Sequence, residues 1–330
     1  MIVNIFRNSS PLALIIIPAF MAAAWISASL GTPALYEVRQ PMPLFQVVAD
    51  VAHNLPGWIV AVIGFLLTTY QVFQVNRLIE KHEVLYKNSY LPGMAYMLLI
   101  AYFPGFLTFH PILIVNTILL VALDKMFKLY KNPSPTGLLF DTFMLVSVAS
   151  LFYLPAAALM LLFFIGLFML RTVGWRDLLT ACIGLVVPYF LVFVYLYWTH
   201  GLDRYLEPLT GRNAASFIDV SWMTRYDYRI NLSFLLLFFI LTVVRIRSNF
   251  YKNVTRARAY QEVIFIYLGV SLATLGIAGS DALYRFSILT VPLAMMFGYY
   301  FLATKKFWWS ELLFWMMAVL LVSNHIVGVY

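Results

Sequence analysis

Arg204, Arg212, Arg225 and Arg229 share one polar stretch, residues 199–229, with Asp203, Glu207, Asp219, Asp227 and the rings of Trp222, Tyr226 and Tyr228. A guanidinium is a planar fork that grips phosphate through two parallel hydrogen bonds. Aromatic rings beside it stack on sugar faces or rest at the level of lipid headgroups. The combination suits recognition of a phosphate-bearing lipid head. Arg225 and Arg229 are four apart, so on a helix they would share a face, which is unfavourable unless an anion or an acid sits between them. A loop held together by Arg–Asp pairs accounts for the same residues. Sugar transfer from a polyprenyl phosphate would also need a carboxylate to take the proton of an acceptor hydroxyl. Glu37 and Asp50, in the polar stretch 31–54, are the candidates, although Glu37 beside Arg39 also fits a plain surface ion pair. Asp281 and Arg285 stand four apart at the head of an apolar run. They read either as a capped helix start with its own ion pair or as an ionisable pair entering a membrane helix.

The chain around these residues belongs in lipid. It is 63% hydrophobic and 11% charged, with a mean hydropathy of +0.86. Soluble domains carry about a quarter charged residues, and one core of 330 residues could not hide this much apolar surface. A pI near 9.4 would suggest nucleic acid in a soluble protein. Here it follows from basic cytoplasmic loops, and nothing resembles a nucleic-acid-binding module. The single cysteine, Cys182, excludes an intrachain disulfide.

Hydropathy predicts an all-α, polytopic helical membrane protein forming a single domain over 1–330, with about eleven transmembrane helices and a range of 9–12. The apolar runs are 11–30, 55–75, 91–108, 111–124, 138–153, 155–171, 178–198, 230–245, 261–279, 283–303 and 307–328. The first reads as an uncleaved span rather than a signal peptide, because its apolar run continues to Leu30. With the N-terminus cytoplasmic, all eight lysines (Lys81, Lys87, Lys125, Lys128, Lys131, Lys252, Lys305 and Lys306) fall inside, with eight arginines. Only Arg39, Arg204, Arg212, Arg225, Arg229 and Arg285 fall outside, so sixteen and six account for all 22 bases. The positive-inside rule therefore puts the C-terminus and the loop 199–229 in the periplasm.

Residues 91–124 and 138–171 each read as two short helices around a Pro-marked turn, Phe103-Pro104 to His110-Pro111 and Tyr153-Leu154-Pro155. Residues 111–124 cover roughly 21 Å, short of a bilayer core. They form either a re-entrant hairpin or a helix that continues through Met126-Phe127. Over 75–86, the spacing of Val75, Leu78, Ile79, Leu85 and Tyr86 fits an amphipathic helix, in the stretch 76–90, lying on the interface among anionic headgroups. It fits an extension of the second span equally well. Asp141 reads as a helix N-terminal acid.

No phosphate-binding Gly-rich loop, Gly-x-Ser-x-Gly, HExxH or cysteine cluster is present. His53, His110, His200 and His325 fall on the outer side without ligand spacing, so neither a metal nor any other cofactor is expected.

The run Asn88-Ser89, Phe103-Pro104, Asn116, Leu119-Leu120, Asp124-Lys125, Phe140-Asp141 and Ser150-Leu151-Phe152-Tyr153 resembles a family of polytopic inner-membrane proteins of Bacteroidota. Some members carry a carotene-oxygenase label, which would call for four iron-binding histidines. The resemblance covers about a quarter of the chain and implies the inner membrane of a Gram-negative cell. It carries no catalytic residues. Its polar positions Asn116, Asp141 and Tyr153 suit helix-packing hydrogen bonds.

The leading expectation is thus an inner-membrane protein acting on polyprenyl-phosphate-linked sugars, glycosyltransferase-like. Its partners would be membrane lipids and a polyprenyl phosphate held by Arg204, Arg212, Arg225, Arg229, Arg285 and Asp281, with Glu37 or Asp50 as base. A non-catalytic subunit of an envelope secretion, motility or assembly complex, with a protein partner, is the alternative. A transporter comes third, since few charges lie within the spans.

Overall fold

The computed structural model describes residues 2–8, 10–38, 42–132, 135–199, 226–277, 283–304 and 307–327. Arg39, Arg204, Arg212, Arg225 and Asp281 lie outside the described residues, so most of the arginine stretch is not placed.

A backbone surrounded by hydrocarbon must satisfy its own polar groups, and the helix does so within one segment. The described residues form helices and no named strand. In chain order they are α1 Ile2–Arg7, α2 Leu12–Ser29, α3 Pro43–His53, α4 Gly57–Lys81, α5 Leu91–Ile100, α6 Pro111–Phe127 and α7 Thr136–Phe152. Then come α8 Leu159–Leu170, α9 Trp175–Trp198, α10 Tyr226–Asn249, α11 Thr255–Ile277, α12 Thr290–Ala303 and α13 Phe307–Val327. Among the described residues, seven helical segments are long and apolar enough to cross a membrane. They are Leu12–Ser29, Gly57–Lys81, Trp175–Trp198, Arg229–Lys252, Thr255–Gly276, Leu283–Ala303 and Trp308–Ile326. Leu91–Ile100, Thr136–Phe152 and Leu154–Leu170 are shorter apolar helices. The protein is therefore a helical, multi-pass membrane protein, with seven candidate full-length spans among the described residues against about eleven expected.

The shortfall comes from the middle of the bundle. All ten residues of α5 are buried. At 1.5 Å per residue α5 covers about 15 Å, half a hydrocarbon core. It packs closely on α12, the other deeply buried helix. Gly298 of α12 meets Pro92 of α5, where an added Cβ would come 2.7 Å from the Pro92 Cα. Helices that are apolar all round belong in such a core. Around this pair stand α2, α4, α6, α10, α11 and α13, while α7 carries α9 on the periphery.

Buried polar side chains tie the layers together. Trp25 Nε1 donates to Thr68 at 3.0 Å. Gln71 donates to the Leu113 carbonyl at 2.6 Å and to Thr117 at 2.7 Å, and accepts from the Tyr96 hydroxyl at 2.6 Å. Asn116 donates to the Ser287 carbonyl at 3.0 Å, the packing role expected of it. Asp141 accepts from Lys125 at 2.7 Å. Replacing Gln71 by leucine keeps its bulk but leaves the Tyr96 hydroxyl without its acceptor. The expected cost is about 1–3 kcal/mol, read as a lower thermal midpoint in lipid nanodiscs. An unchanged midpoint would contradict the network.

One local expectation changes and two open choices are decided. The stretch 31–54 is not plain loop, because α3 forms within it. Phe45, Val48, Ala49 and Ala52 recur at helical spacing and pack with Leu35, Val60 and Phe109. Residues 76–81 do not lie on the interface as a separate helix. They continue α4, with Val75, Leu78 and Ile79 buried, and the chain turns at Glu83, whose φ is 52°. Residues 111–124 continue as a helix to Phe127, not as a re-entrant hairpin.

Several of the described bases predicted to be cytoplasmic gather at one end. Arg7 donates to the Leu302 carbonyl at 3.0 Å, Arg245 to the Ala303 carbonyl at 2.6 Å, and Tyr86 to the Leu302 carbonyl at 2.8 Å. Lys81 and Lys128 both reach Asp124, and Tyr260 bonds the Phe127 carbonyl at 2.8 Å. The stretch 34–38, the segment 101–110 and Arg285 lie together at the opposite end.

Candidate functional site

That opposite end is built around a break in α5. Helical backbone stops at Ile100, and Phe103-Pro104 cannot continue it, because proline has no N–H and restricts its predecessor. A single 3-10 turn follows at Pro104–Phe106, and α6 begins at Pro111. The intervening segment is largely buried, so its freed carbonyls need donors. Asn324 of α13 donates to the Tyr102 carbonyl at 2.9 Å, and His325 Nε2 meets the Ala101 carbonyl at 2.9 Å. Asn231 of α10 donates to Asn324 at 2.7 Å. That bond carries the start of α10, including the exposed Arg229, to this end of the bundle.

The first outer stretch lies against the same segment. Leu35 and Phe109 form a parallel β-bridge, with Tyr36 N bonded to the Phe109 carbonyl at 3.0 Å and Phe109 N to the Ala34 carbonyl at 2.9 Å. This fixes Tyr36, whose ring lies 4.5 Å from that of Tyr284. The His110 ring lies 4.9 Å from that of Tyr284, tilted by 34°. Tyr284 belongs to the 3-10 turn Leu283–Leu289 that leads into α12. Arg285, half-buried, lies close enough to Tyr153 and Tyr284 for its charge to act on both hydroxyls.

The result is the Arg285 guanidinium among tyrosines, with an exposed carboxylate one residue along the chain from Tyr36. Glu37 directly follows Tyr36 and is exposed. Asp50 is also exposed, on α3, and its backbone carbonyl accepts from Asn54 at 2.8 Å. The structure therefore brings Glu37, Arg229 and Arg285 to one end, with Glu37 linked to Arg285 through Tyr36 and Tyr284. Asp50 sits on α3, where the neighbouring Ala49 packs in one cluster with Leu35 and Phe109. Arg204, Arg212, Arg225 and Asp281 lie outside these residues.

An apolar groove opens in the same half of the bundle. It measures about 530 Å³ and is lined by Met160, Leu185, Val186, Tyr189, Phe190 and Phe193. The Tyr189 hydroxyl bonds Ser150 at 2.6 Å, one helical turn before Tyr153. Ser150 lies near the end of α7, three residues before Tyr153, the tyrosine on which the Arg285 charge acts. Sequence reasoning missed Tyr36, Tyr284, Asn231 and Asn324. The two asparagines carried a signal, being amides in apolar runs. The tyrosines carried none.

Among the described residues no group of histidine, cysteine, aspartate and glutamate could hold a metal ion. Comparison with family models, with curated proteins and with solved structures finds no match, so the function is argued from the geometry.

Proposed function

We propose that this chain is a bacterial inner-membrane protein of eleven crossings, three of them made by the short helices and one by α6, with a cytoplasmic N-terminus and a periplasmic C-terminus. In this reading it belongs with the Bacteroidota proteins that its central region resembles. It takes a polyprenyl-phosphate-linked saccharide at its periplasmic end and passes the sugar to an acceptor. The observation that carries this reading is the meeting of Tyr36, which precedes Glu37, with Tyr284, on which the Arg285 charge acts, at one end of the bundle.

Each part has a chemical role. Arg285 holds the phosphate through its planar fork. The groove takes the prenyl chain, whose burial against Phe190 and Phe193 is favourable by about 25 cal/mol per Å² where it displaces water. Glu37 accepts the proton of the acceptor hydroxyl as that oxygen attacks the anomeric carbon. The bond from the anomeric carbon to the phosphate oxygen breaks, and polyprenyl phosphate leaves with the electron pair.

Native mass spectrometry of the protein released from native-lipid nanodiscs tests the binding half. Wild type should retain a polyprenyl phosphate, and Arg285→Lys, which keeps the charge but loses the fork, should retain about tenfold less. Retention unaffected by Arg285→Lys would sink the phosphate assignment. A stoichiometric protein partner with no bound polyprenyl lipid would favour a non-catalytic envelope subunit instead.

A further inference from the structure

The opposite end of the bundle holds a second concentration of charge that sugar transfer does not use. Asp124, in the last turn of α6, accepts from Lys81 at 2.8 and 2.9 Å, from Lys128 at 2.8 Å, and pairs with His82 Nε2 at 2.9 Å. One carboxylate thus gathers three basic side chains from two helices. Its own side chain is 16% exposed, whereas those of Lys81 and Lys128 are 40% and 39% exposed. Each ammonium has three donors, so the shared carboxylate orients both lysines and leaves them donors for a further anion. Burial holds His82 below the ordinary imidazole range, against the pull of Asp124, so it adds no charge at neutral pH. The hydrogen bond to Asp124 holds Lys128 above the ordinary ammonium range.

More bases ring the same spot. Arg77 is exposed and lies near enough to Lys128 to act on it. Arg256 donates through Nε to the Tyr260 hydroxyl at 3.0 Å and lies 5.6 Å over that ring, leaving its terminal amino groups as donors. Lys131 lies 5.6 Å over Tyr130, which meets Tyr260 at 5.8 Å. Beneath them Tyr260 stacks on Phe127 at 4.4 Å, with His82 edge-on to both. Lys81 and Lys128 thus bond Asp124, Arg77 lies within electrostatic reach of Lys128, and Glu83 lies within reach of Arg256. An aromatic base with a cationic rim at the mouth of apolar helices matches a headgroup at the membrane interface, where phosphates meet bases and chains meet the helices.

We propose that the end of the bundle built by Arg77, Lys81, Asp124, Lys128 and Arg256 is a binding site for the phosphodiester of an anionic phospholipid in the adjoining leaflet. Asp124 is a positioning residue there. It sets the two lysines at one spacing and does not touch the lipid. The site is independent of the sugar-transfer reading, since it lies at the other end of the molecule.

The test is lipid retention by the full chain in detergent, read by native mass spectrometry with phosphatidylglycerol and with phosphatidylcholine of the same acyl chains. Wild type should favour phosphatidylglycerol by about tenfold, and Lys81→Gln with Lys128→Gln should erase the preference. Arg77→Gln with Arg256→Gln leaves the Asp124 cluster intact and should weaken the preference several-fold, so the idea stays testable if the lysine variant does not fold. Arg285→Lys should leave it unchanged. Equal retention of the two lipids by wild type, or full preference in the Arg77→Gln, Arg256→Gln variant, would overturn the site. Displacement of the lipid by inorganic phosphate, at ionic strength matched with sodium chloride, would assign it to free phosphate and overturn the lipid reading.

Discussion

Gly298→Val should be the most damaging single substitution in the described core. An added Cβ at this position comes 2.7 Å from the Pro92 Cα and 2.8 Å from the Pro92 ring and nitrogen, so the first new atom meets backbone rather than a side chain that can swing away. Neither helix has room to retreat, because all of α5 is buried and α12 is buried over most of its length. Overpacking of this kind costs about 1–3 kcal/mol and more where backbone must shift. Valine adds two further methyl groups at the same spot. The expected result is a large fall in folded yield and in thermal midpoint, and Gly298→Ala should show a milder form of the same loss. Gly269→Ala is the control. It lies within α11 with nothing within 4 Å of an added Cβ, so its midpoint should hold or rise slightly. A Gly298→Val protein as stable as wild type would show that α5 and α12 are not in contact there.

The second large effect concerns chemistry. Glu37→Gln should lower transfer from a lipid-linked saccharide by roughly 10²–10⁴-fold, the range for loss of a general base. Lipid retention should stay close to wild type, because Glu37 is exposed and the phosphate is assigned to Arg285. Asp50→Asn should leave transfer within a few-fold of wild type, since Asp50 sits on α3 whereas Glu37 directly follows Tyr36, which meets Tyr284. A single-turnover assay with lipid-linked saccharides in proteoliposomes separates these outcomes. Transfer that survives Glu37→Gln and fails with Asp50→Asn would move the base to α3.

Much of this architecture can be read from hydropathy alone. Every apolar run proposed from the sequence contains helix, because residues such as those of 57–75 or 178–198 have no other way to sit in lipid. What hydropathy does not reveal is which runs are full crossings. Leu91–Ile100 is as apolar as the peripheral α9, yet one is the centre of the bundle and the other faces outward along most of its length. Their difference lies in the partners, and partners are not encoded locally. The α3 helix was within reach, since Phe45, Val48, Ala49 and Ala52 repeat at helical spacing. Its short length and the polar residues around it mask that signal. The pattern of Val75, Leu78 and Ile79 suits a buried face of a long span as well as it suits an interfacial helix. Tertiary packing against the turn at 82–90 decides between them.

The candidate site shows the same division. Arg285, Arg229 and Glu37 stand out because charge is scarce in this chain. Their common location does not, because it depends on Tyr36 meeting both Phe109 and Tyr284, contacts between distant parts of the sequence. Asp124 and Lys128 are a visible i, i+4 pair, but their meeting with Lys81 and His82 depends on the turn that ends α4.

The most direct test is a cryo-electron microscopy map of the protein in nanodiscs formed with native lipids. The account predicts phosphate density within about 3–4 Å of the Arg285 guanidinium, a headgroup reaching Glu37, and a continuous chain along Leu185, Tyr189, Phe190 and Phe193. Arg285 bonded only to protein, with the groove filled by an ordinary phospholipid chain and no density beside Glu37, would contradict it.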